Sequence, residues 1–595
     1  MAERFRHKFV YEYLLWIVLS AISFVIAAAH IMQDEYPFSR FRIWIVLAAA
    51  AGEAVFVLVL WKSRRNMAAV FLSSYLIFGS FYFMAVPLFR VPDELTHFLR
   101  AYEISEGHML SDMNADGLGG RELSYNLNPE NIGLDQTNTT QFDIWERYGK
   151  ERLSDENAFL VFWNTSLYAP VSYLPQSLGI GFMRLITDRI VWIAYAGRIT
   201  AFLAAGLIGF LAVKYIPLGK KAMLLLLLLP MNMQESVSLA PDSMVTALTC
   251  ALISFVLYMR YVRTERMQRS HYAMLYILCI LIGLYKIVYL PFCLFPFLIP
   301  EERFGGKRAY LFHALVLGSL VAVISLGWLM TAGSYLSDIW GADSDAQVQF
   351  ILSDPVRYLG ILWNTIRLEG TKYLYNIVGM DYGWLTIHIS KGIVIAYAVL
   401  CLAAMLLPGE EAPESFRPMR LTALTVTVFV CLLIFTSIYV QWNVPQAETV
   451  LGIQGRYFIP LVFPVYLLFH GLIRPIREEV SLSVPCMLLV FGLQLCILSD
   501  IFSVCIGEYG GGWQEDAGGS RYWISEKEYV RDKWYQSEGQ WYYFDERGYP
   551  LKDTWVEGEQ GDYYLSESGA MLTDTVTPDG YLVDEKGRRM GKWIK

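Results

Sequence analysis

The sequence predicts an all-α polytopic membrane protein of about 13 transmembrane helices, followed by a small extracellular solenoid of β-hairpin repeats. Three observations carry this expectation. Of the 595 residues, 55% are hydrophobic and only 17% charged, which is too apolar for an ordinary soluble chain. Apolar runs approaching the length of a bilayer-spanning helix recur from residue 10 to residue 504. After Gly507 the composition turns polar, aromatic and Gly-rich, and it repeats with a fixed period.

The net charge of -8 gives no reason to expect nucleic acid as a partner. All eight cysteines lie in apolar runs without paired or metal-like spacing, so neither a disulfide framework nor a zinc site follows. The N-terminus has basic residues and then a long apolar run with no small-residue cleavage pattern, which predicts an uncleaved first span.

The first two spans, residues 10–29 and 43–61, form an N-terminal hairpin within residues 1–66. Arg4, Arg6 and Lys8 precede it and Lys62, Arg64 and Arg65 follow it, so both ends are expected on the cytoplasmic side. A third span, residues 67–88, then runs outward and delivers Pro92, Asp93, Glu94, His97 and Arg100 to the external edge. Residues 90–189 are too rich in Asp, Asn and Gly to cross a bilayer and are expected as a first external region. A span at 190–213 returns to Lys214, Lys220 and Lys221, again basic. The next apolar run stops at Pro230, and the polar, Pro-bounded segment to Asp242 requires protein or a water-filled cavity at membrane depth.

After a span at 243–258, residues 272–299 read as a broken hairpin interrupted at Lys286 and Pro291, with Lys286 near the outer side. A span at 311–330 leads to a second external region, 331–390. Four more spans follow, and an outer loop at 441–460 carries Gln454 and Arg456. An odd number of crossings from a cytoplasmic N-terminus places the C-terminus outside. The membrane domain is thus expected over 67–506 and the repeats over 507–595.

On a helix starting at Pro92, Asp93, His97 and Arg100 share one face, and Leu95, Phe98, Leu99 and Tyr102 the other. Read alone, such a helix serves equally well to meet lipid headgroups. Asp242, Lys286, Gln454 and Arg456 converge on the same side from distant segments. A charge within the hydrocarbon costs about 2.5–3.5 kcal/mol, so Asp242 and Lys286 are expected to be paired or to line a solvated cavity. Arg198, inside a span, calls for a buried partner.

In the tail, Trp513, Trp534 and Trp555 are spaced by 21, as are Tyr522, Tyr543 and Tyr564, and Asp532, Asp553 and Asp574. The clearest unit, Gly539 to Gly548, alternates aromatics before a Gly turn, as a small hairpin does. Residues 511–595 resemble the choline-binding and glucan-binding repeats of Gram-positive surface proteins. The match is imperfect at its ends: Lys527 stands where later units have Gly548 and Gly569, and the last unit loses its Trp. The resemblance implies that Trp534, Trp541, Tyr543, Trp555 and Tyr564 stack on sugars or cage a quaternary ammonium, at about 0.5–2 kcal/mol per contact. The partner would be a cell-surface glycan or teichoic-acid choline. The plainer alternative is that these rings only build the core of the hairpins.

Pro92-Asp93-Glu94 with His97, the segment from Leu229-Pro230 to Pro241-Asp242, Lys286 to Tyr289, and above all Gly452-Ile453-Gln454-Gly455-Arg456-Tyr457-Phe458-Ile459-Pro460 carry a second resemblance. Over residues 60–499 the chain resembles the family called domain of unknown function 2142 and is similar to membrane glycosyltransferases of the GT-C architecture. That resemblance implies a GT-C-like fold and a sugar donor linked to polyprenyl phosphate. It also implies a carboxylate base in the first external loop, Asp93 or, failing it, Glu94. Arg456, Lys286 and Arg100 are then candidates for holding the departing phosphate, with Arg456 favoured because a guanidinium binds phosphate oxygens in pairs. Asp242 and Gln454 would orient those cations or bind sugar hydroxyls, and His97 joins the substrate contacts by helical position alone. The adjacent carboxylates Asp93 and Glu94 would also admit a divalent cation, although such a pair is a weak metal signal. The expected setting is a bacterial plasma membrane, with membrane lipids as neighbours. A transporter or flippase of lipid-linked saccharide is the alternative, and it should show internal symmetry among its spans, which the sequence does not display. A mere membrane anchor for the repeats would need only one span.

Overall fold

Apolar segments whose backbone groups must bond to each other fold as helices, and helices dominate the computed structural model. It describes residues 18–31, 42–63, 66–335, 341–406, 413, 415–472, 483–505, 512–516, 519–523, 529–537, 540–558 and 561–592. Among these, six helices are long and apolar enough to cross a membrane: Met67–Ala85, Ile190–Tyr215, Asp242–Tyr261, Lys307–Tyr335, Arg417–Trp442 and Cys486–Cys505. Six shorter apolar helices accompany them. The expectation of about 13 spans counted the broken hairpin at 272–299 as two crossings and left the short apolar helix before Ile186 uncounted. Several of the counted runs are interrupted by Pro or by an ionisable residue and give short or broken helices instead.

The chain divides into two units, one of residues 1–33 and 40–506, the other of residues 34–39 and 507–595. The first two described helices, Val18–Ile31 and Arg42–Ser63, fall within the larger unit. Phe56 stacks on Phe491 with ring centroids 4.3 Å apart, and Ser23 donates to the Leu488 carbonyl at 3.0 Å.

In the larger unit, the polar region that follows Met67–Ala85 is folded rather than a bare loop. Strands Asp112–Met113, Gly119–Ser124 and Asn157–Val161 form an antiparallel sheet. They lie beside helix Glu94–Ser105, whose Phe98 and Tyr102 enter a separate core with Phe89, Tyr148 and Phe162. The second polar region holds helices Ser344–Ser353 and Pro355–Val378 and a two-stranded ladder, Asp381–Tyr382 with Ile387–His388.

The break at Lys286 is local and has a clear cause. Helix Arg269–Tyr285 ends there, Lys286 is extended with φ -154° and ψ 114°, and Ile287–Leu298 continues as a 3-10 helix containing Pro291 and Pro296. Proline lacks the N–H that an α-helix would need, and 3-10 runs of this length are uncommon.

The smaller unit consists of hairpins. Strands Gly512–Asp516 and Gly519–Trp523, Lys533–Ser537 and Gln540–Phe544, and Thr554–Gly558 and Gly561–Leu565 pair in turn, and a three-stranded sheet ends the array. The period seen in the sequence is the pairing register: Trp513, Trp534 and Trp555 face Tyr522, Tyr543 and Tyr564. The periodic Asp532, Asp553 and Asp574 all adopt positive φ, at 49°, 47° and 46°. Asp tolerates that left-handed backbone better than bulkier residues do.

Candidate functional site

The turn between helices Met67–Ala85 and Glu94–Ser105 is bracketed by two non-glycine residues of positive φ, Phe89 at 66° and Asp93 at 64°. Such backbone is costly and persists where the surroundings enforce it. Glu94 does the enforcing. Its carboxylate is buried and accepts from Arg198 Nε and Nη2, each at 2.6 Å, from the Phe89 N–H at 2.8 Å and from the Leu239 N–H at 3.1 Å. Arg198 also donates to the Val86 and Pro87 carbonyls, which locks the turn to helix Ile190–Tyr215. Arg198 thus has the buried partner its position demanded.

This geometry separates the two carboxylates. An Asp at a helix N-cap ordinarily accepts from the first-turn amides. Asp93 makes no such bond, because its left-handed backbone turns the side chain elsewhere. Its carboxylate accepts from Asn164 Nδ2 at 3.3 Å and lies 3.8 Å from Arg456 Nη2. Burial pushes the Asp93 carboxyl above its usual range; Arg456 and Lys286 pull against that, and Asp242 adds to it. Glu94 has both oxygens engaged, so it is corrected from alternative base to structural anchor. The same engagement removes it as a metal ligand beside Asp93. No group of three or more His, Cys, Asp or Glu suited to a metal occurs among the described residues.

Arg100 is a second correction. Helical spacing puts it near His97, but its guanidinium turns to Glu103, Ser111 Oγ at 3.1 Å and the Met109 carbonyl at 2.9 Å, all within the folded polar region. His97 does reach the site. Its Nδ1 lies 2.7 Å from the Tyr173 hydroxyl, and burial lowers its pKa to about 3, so the ring is neutral at ordinary pH.

Asp93, His97, Lys286 and Gln454 line one cavity of about 770 Å3, together with Trp163, Tyr168, Trp328, Trp384, Trp442 and Tyr457. Lys286 is ion-paired with Asp242, at the start of helix Asp242–Tyr261, and its ammonium lies 5.1 Å from the Tyr457 ring and 5.7 Å from that of Tyr168. Asp242 therefore holds the lysine in place. At Ile287, Val288, Ser437 and Gln441 the cavity meets an apolar groove of about 730 Å3 walled by Ile287–Leu298, Leu317, Val321, Phe429 and Leu433.

Beyond Gln454 lies a smaller cavity of about 290 Å3, lined by Arg456, Glu235, Asn376 and Asp381. Arg456 donates to Glu235 Oε1 at 3.0 Å, and its own Nε and the second Glu235 oxygen are buried without partners among the described residues. Gly455 lets this segment approach helix Pro355–Val378. A Cβ there would come within 2.5 Å of the Tyr373 carbonyl oxygen and the Asn376 Cβ. Sequence reasoning missed Glu235, Asn164 and Tyr168. Glu235 carried a signal, since it is the carboxylate inside the Pro-bounded polar segment, and Tyr168 opens the aromatic, Pro-punctuated stretch from Tyr168 to Gln176; Asn164 carried none.

In the repeats, each Trp packs on its cross-strand Tyr and on a Tyr of the next unit. For Trp534 the partners are Tyr543 and Tyr563, both at 5.4 Å; for Trp555 they are Tyr564 at 5.2 Å and Tyr581 at 5.8 Å. Trp541, two residues before Tyr543 on the same side of its strand, is 41% exposed, and Tyr564 is buried. Tyr563 is a member of the Trp534 cluster that periodicity alone did not single out.

Comparison with known proteins agrees with these two parts. The family model described as "Predicted membrane protein (DUF2142)" matches residues 76–465, and choline-binding repeat models match residues 530–575 and 559–593. No curated protein matches the chain. Among solved structures, the chain is similar to the multimodular pneumococcal cell wall endolysin from phage Cp-1 complexed with choline, at 32% identity and a TM-score of 0.14, covering 14% of this chain and 26% of that one. It is also similar to the choline binding domain of a Streptococcus pneumoniae protein, at 25% identity and a TM-score of 0.12, covering 15% of this chain and 98% of that one. The chain spans about a quarter of the endolysin's length, and both likenesses involve only a small part of this chain. With about two thirds of its length matched by one family model, the chain belongs to the DUF2142 family of predicted membrane proteins and carries choline-binding repeats at its C-terminal end.

Proposed function

We propose that the larger unit is a membrane glycosyltransferase that moves a sugar from a polyprenyl-phosphate-linked donor to a cell-surface glycan, and that the repeats hold it at the cell wall. In this reading the N-terminus is cytoplasmic and the repeats extracellular. The observation that carries it is the junction at Lys286, where a polar, aromatic-lined cavity containing Asp93 meets an apolar groove. An amphipathic donor matches that junction, with its lipid chain in the groove, its phosphate at Lys286 and its sugar against the aromatic rings.

The chemistry asks little more of the protein. Asp93 accepts the proton of an acceptor hydroxyl as the new glycosidic bond forms. The bond from the anomeric carbon to the phosphate breaks, and its electron pair stays on the departing lipid phosphate. Lys286 and Arg456 stabilise that developing charge. Asp242 and Glu235 position those cations, and neutral His97, bonded to Tyr173, offers a hydrogen bond without adding charge.

The test is to reconstitute the full chain in vesicles with polyprenyl-phosphate sugars and candidate glycan acceptors. Acceptor-dependent release of polyprenyl phosphate is expected. Movement of the intact donor across the bilayer without cleavage would overturn this reading in favour of a flippase.

A further inference from the structure

Successive hairpins create equivalent aromatic clusters, but their surroundings differ. In the Trp534, Tyr543 and Tyr563 cluster, among the described residues, no Lys or Arg stands over any of the three rings. In the next cluster the Arg589 guanidinium lies 3.8 Å from the Tyr581 ring centroid and 4.9 Å from that of Trp555. That is the position and charge a cationic ligand would take against aromatic faces.

The arginine is also anchored. Its Nη1 lies 3.4 Å from Asp562 Oδ2. Asp562 occupies the register position that Trp541 holds one unit earlier: Glu557 pairs with Asp562 where Gln536 pairs with Trp541. The later unit thus replaces a ring by an acid, and it is this acid, Asp562, that meets the guanidinium. The Trp555 indole is fixed in turn, donating from Nε1 to Asp579 at 2.8 Å.

We propose that Arg589 is an internal ligand that fills the last aromatic site, so that this site takes no quaternary ammonium and binding falls to sites of the Trp534 kind. This rests on reading the repeats as binders of a quaternary ammonium. Asp562 and Arg589 together then set how many ligands the array accepts, and a cell-wall polymer is gripped away from the C-terminal end of the array.

Equilibrium dialysis of the detergent-solubilised full chain with radiolabelled choline tests it. Arg589→Ala is expected to bind one equivalent more than the wild type, and Arg589→Lys, which keeps the cation, to match the wild type. Equal stoichiometry in wild type and Arg589→Ala would overturn the proposal, whereas no choline bound by the wild type would overturn the underlying reading of the repeats. A measurement on the unaltered chain covers the case in which Arg589→Ala fails to fold. The arginine guanidinium resonance shifted by the Trp555 and Tyr581 rings should stay in place at saturating choline; its return to the free-arginine position would show displacement and refute the proposal.

Discussion

Replacing Glu94 by Gln perturbs the anchor without changing its size. The carboxylate accepts from two Arg198 nitrogens and two backbone N–H groups, all buried. A Gln amide would leave the guanidinium without its counter-charge and would turn an NH2 group toward one set of donors. Removing one partner of a buried ion pair costs about 3–5 kcal/mol, because the other charge stays behind. Glu94→Gln is therefore expected to lose stability in that range, and Arg198→Met to lose a similar amount. The double variant Glu94→Met/Arg198→Met should cost clearly less than the sum, since no charge remains buried. Unfolding titrations in detergent micelles would measure all three. A Glu94→Gln loss below about 1 kcal/mol, or strictly additive single variants, would refute the anchor and return Glu94 to the list of candidate bases.

Two further outcomes follow from the site. Burial raises the Asp93 pKa, so its basic form is populated only above the usual carboxylate range, and the acid limb of the pH–rate profile should lie above pH 4, about where an unperturbed Asp titrates. The sign for stability is opposite: the folded state holds the Asp93 proton more tightly than the unfolded chain, so this group's contribution falls as pH rises from the unfolded pKa through the folded one. A limb at the ordinary Asp position would contradict the assignment. Gly455→Ala forces a methyl group against the Tyr373 carbonyl and Asn376, for which about 1–3 kcal/mol of destabilisation is expected, with a loss of turnover as Arg456 shifts. Unfolding midpoints and rates read side by side would check it, and an unchanged protein would contradict the close approach.

How far the sequence could be read depended on whether a feature was periodic or a matter of side-chain aim. The repeats announced their hairpin register through the 21-residue spacing, because cross-strand pairing maps directly onto chain position. The membrane character followed from composition, while the number of full-length helices did not, since Pro291, Pro296 and Lys286 convert apolar sequence into 3-10 and extended backbone. Asp93, Lys286, Gln454 and Arg456 were recognisable as polar groups arriving from distant segments. Arg100 and Glu94 were misread for one reason: helical spacing fixes where a side chain starts, not where a long one ends. Arg100 found Glu103 three residues on, and Glu94 found an arginine on another helix. Asn164 and Tyr168 lie in a stretch with no periodic signal, and only tertiary packing brings them to Asp93 and Lys286.

The central claim is that Asp93 is the base. Its most direct test is the release of polyprenyl phosphate from a lipid-linked sugar donor by the Asp93→Asn variant, measured beside the wild type with unfolding midpoints for both. Asp93 makes no capping bond, and Arg456, 3.8 Å from it, keeps its hydrogen-bonded ion pair with Glu235 in the variant, so Asp93→Asn should fold as the wild type does and lose nearly all turnover. Turnover at the wild-type rate by a folded Asp93→Asn protein would contradict the account.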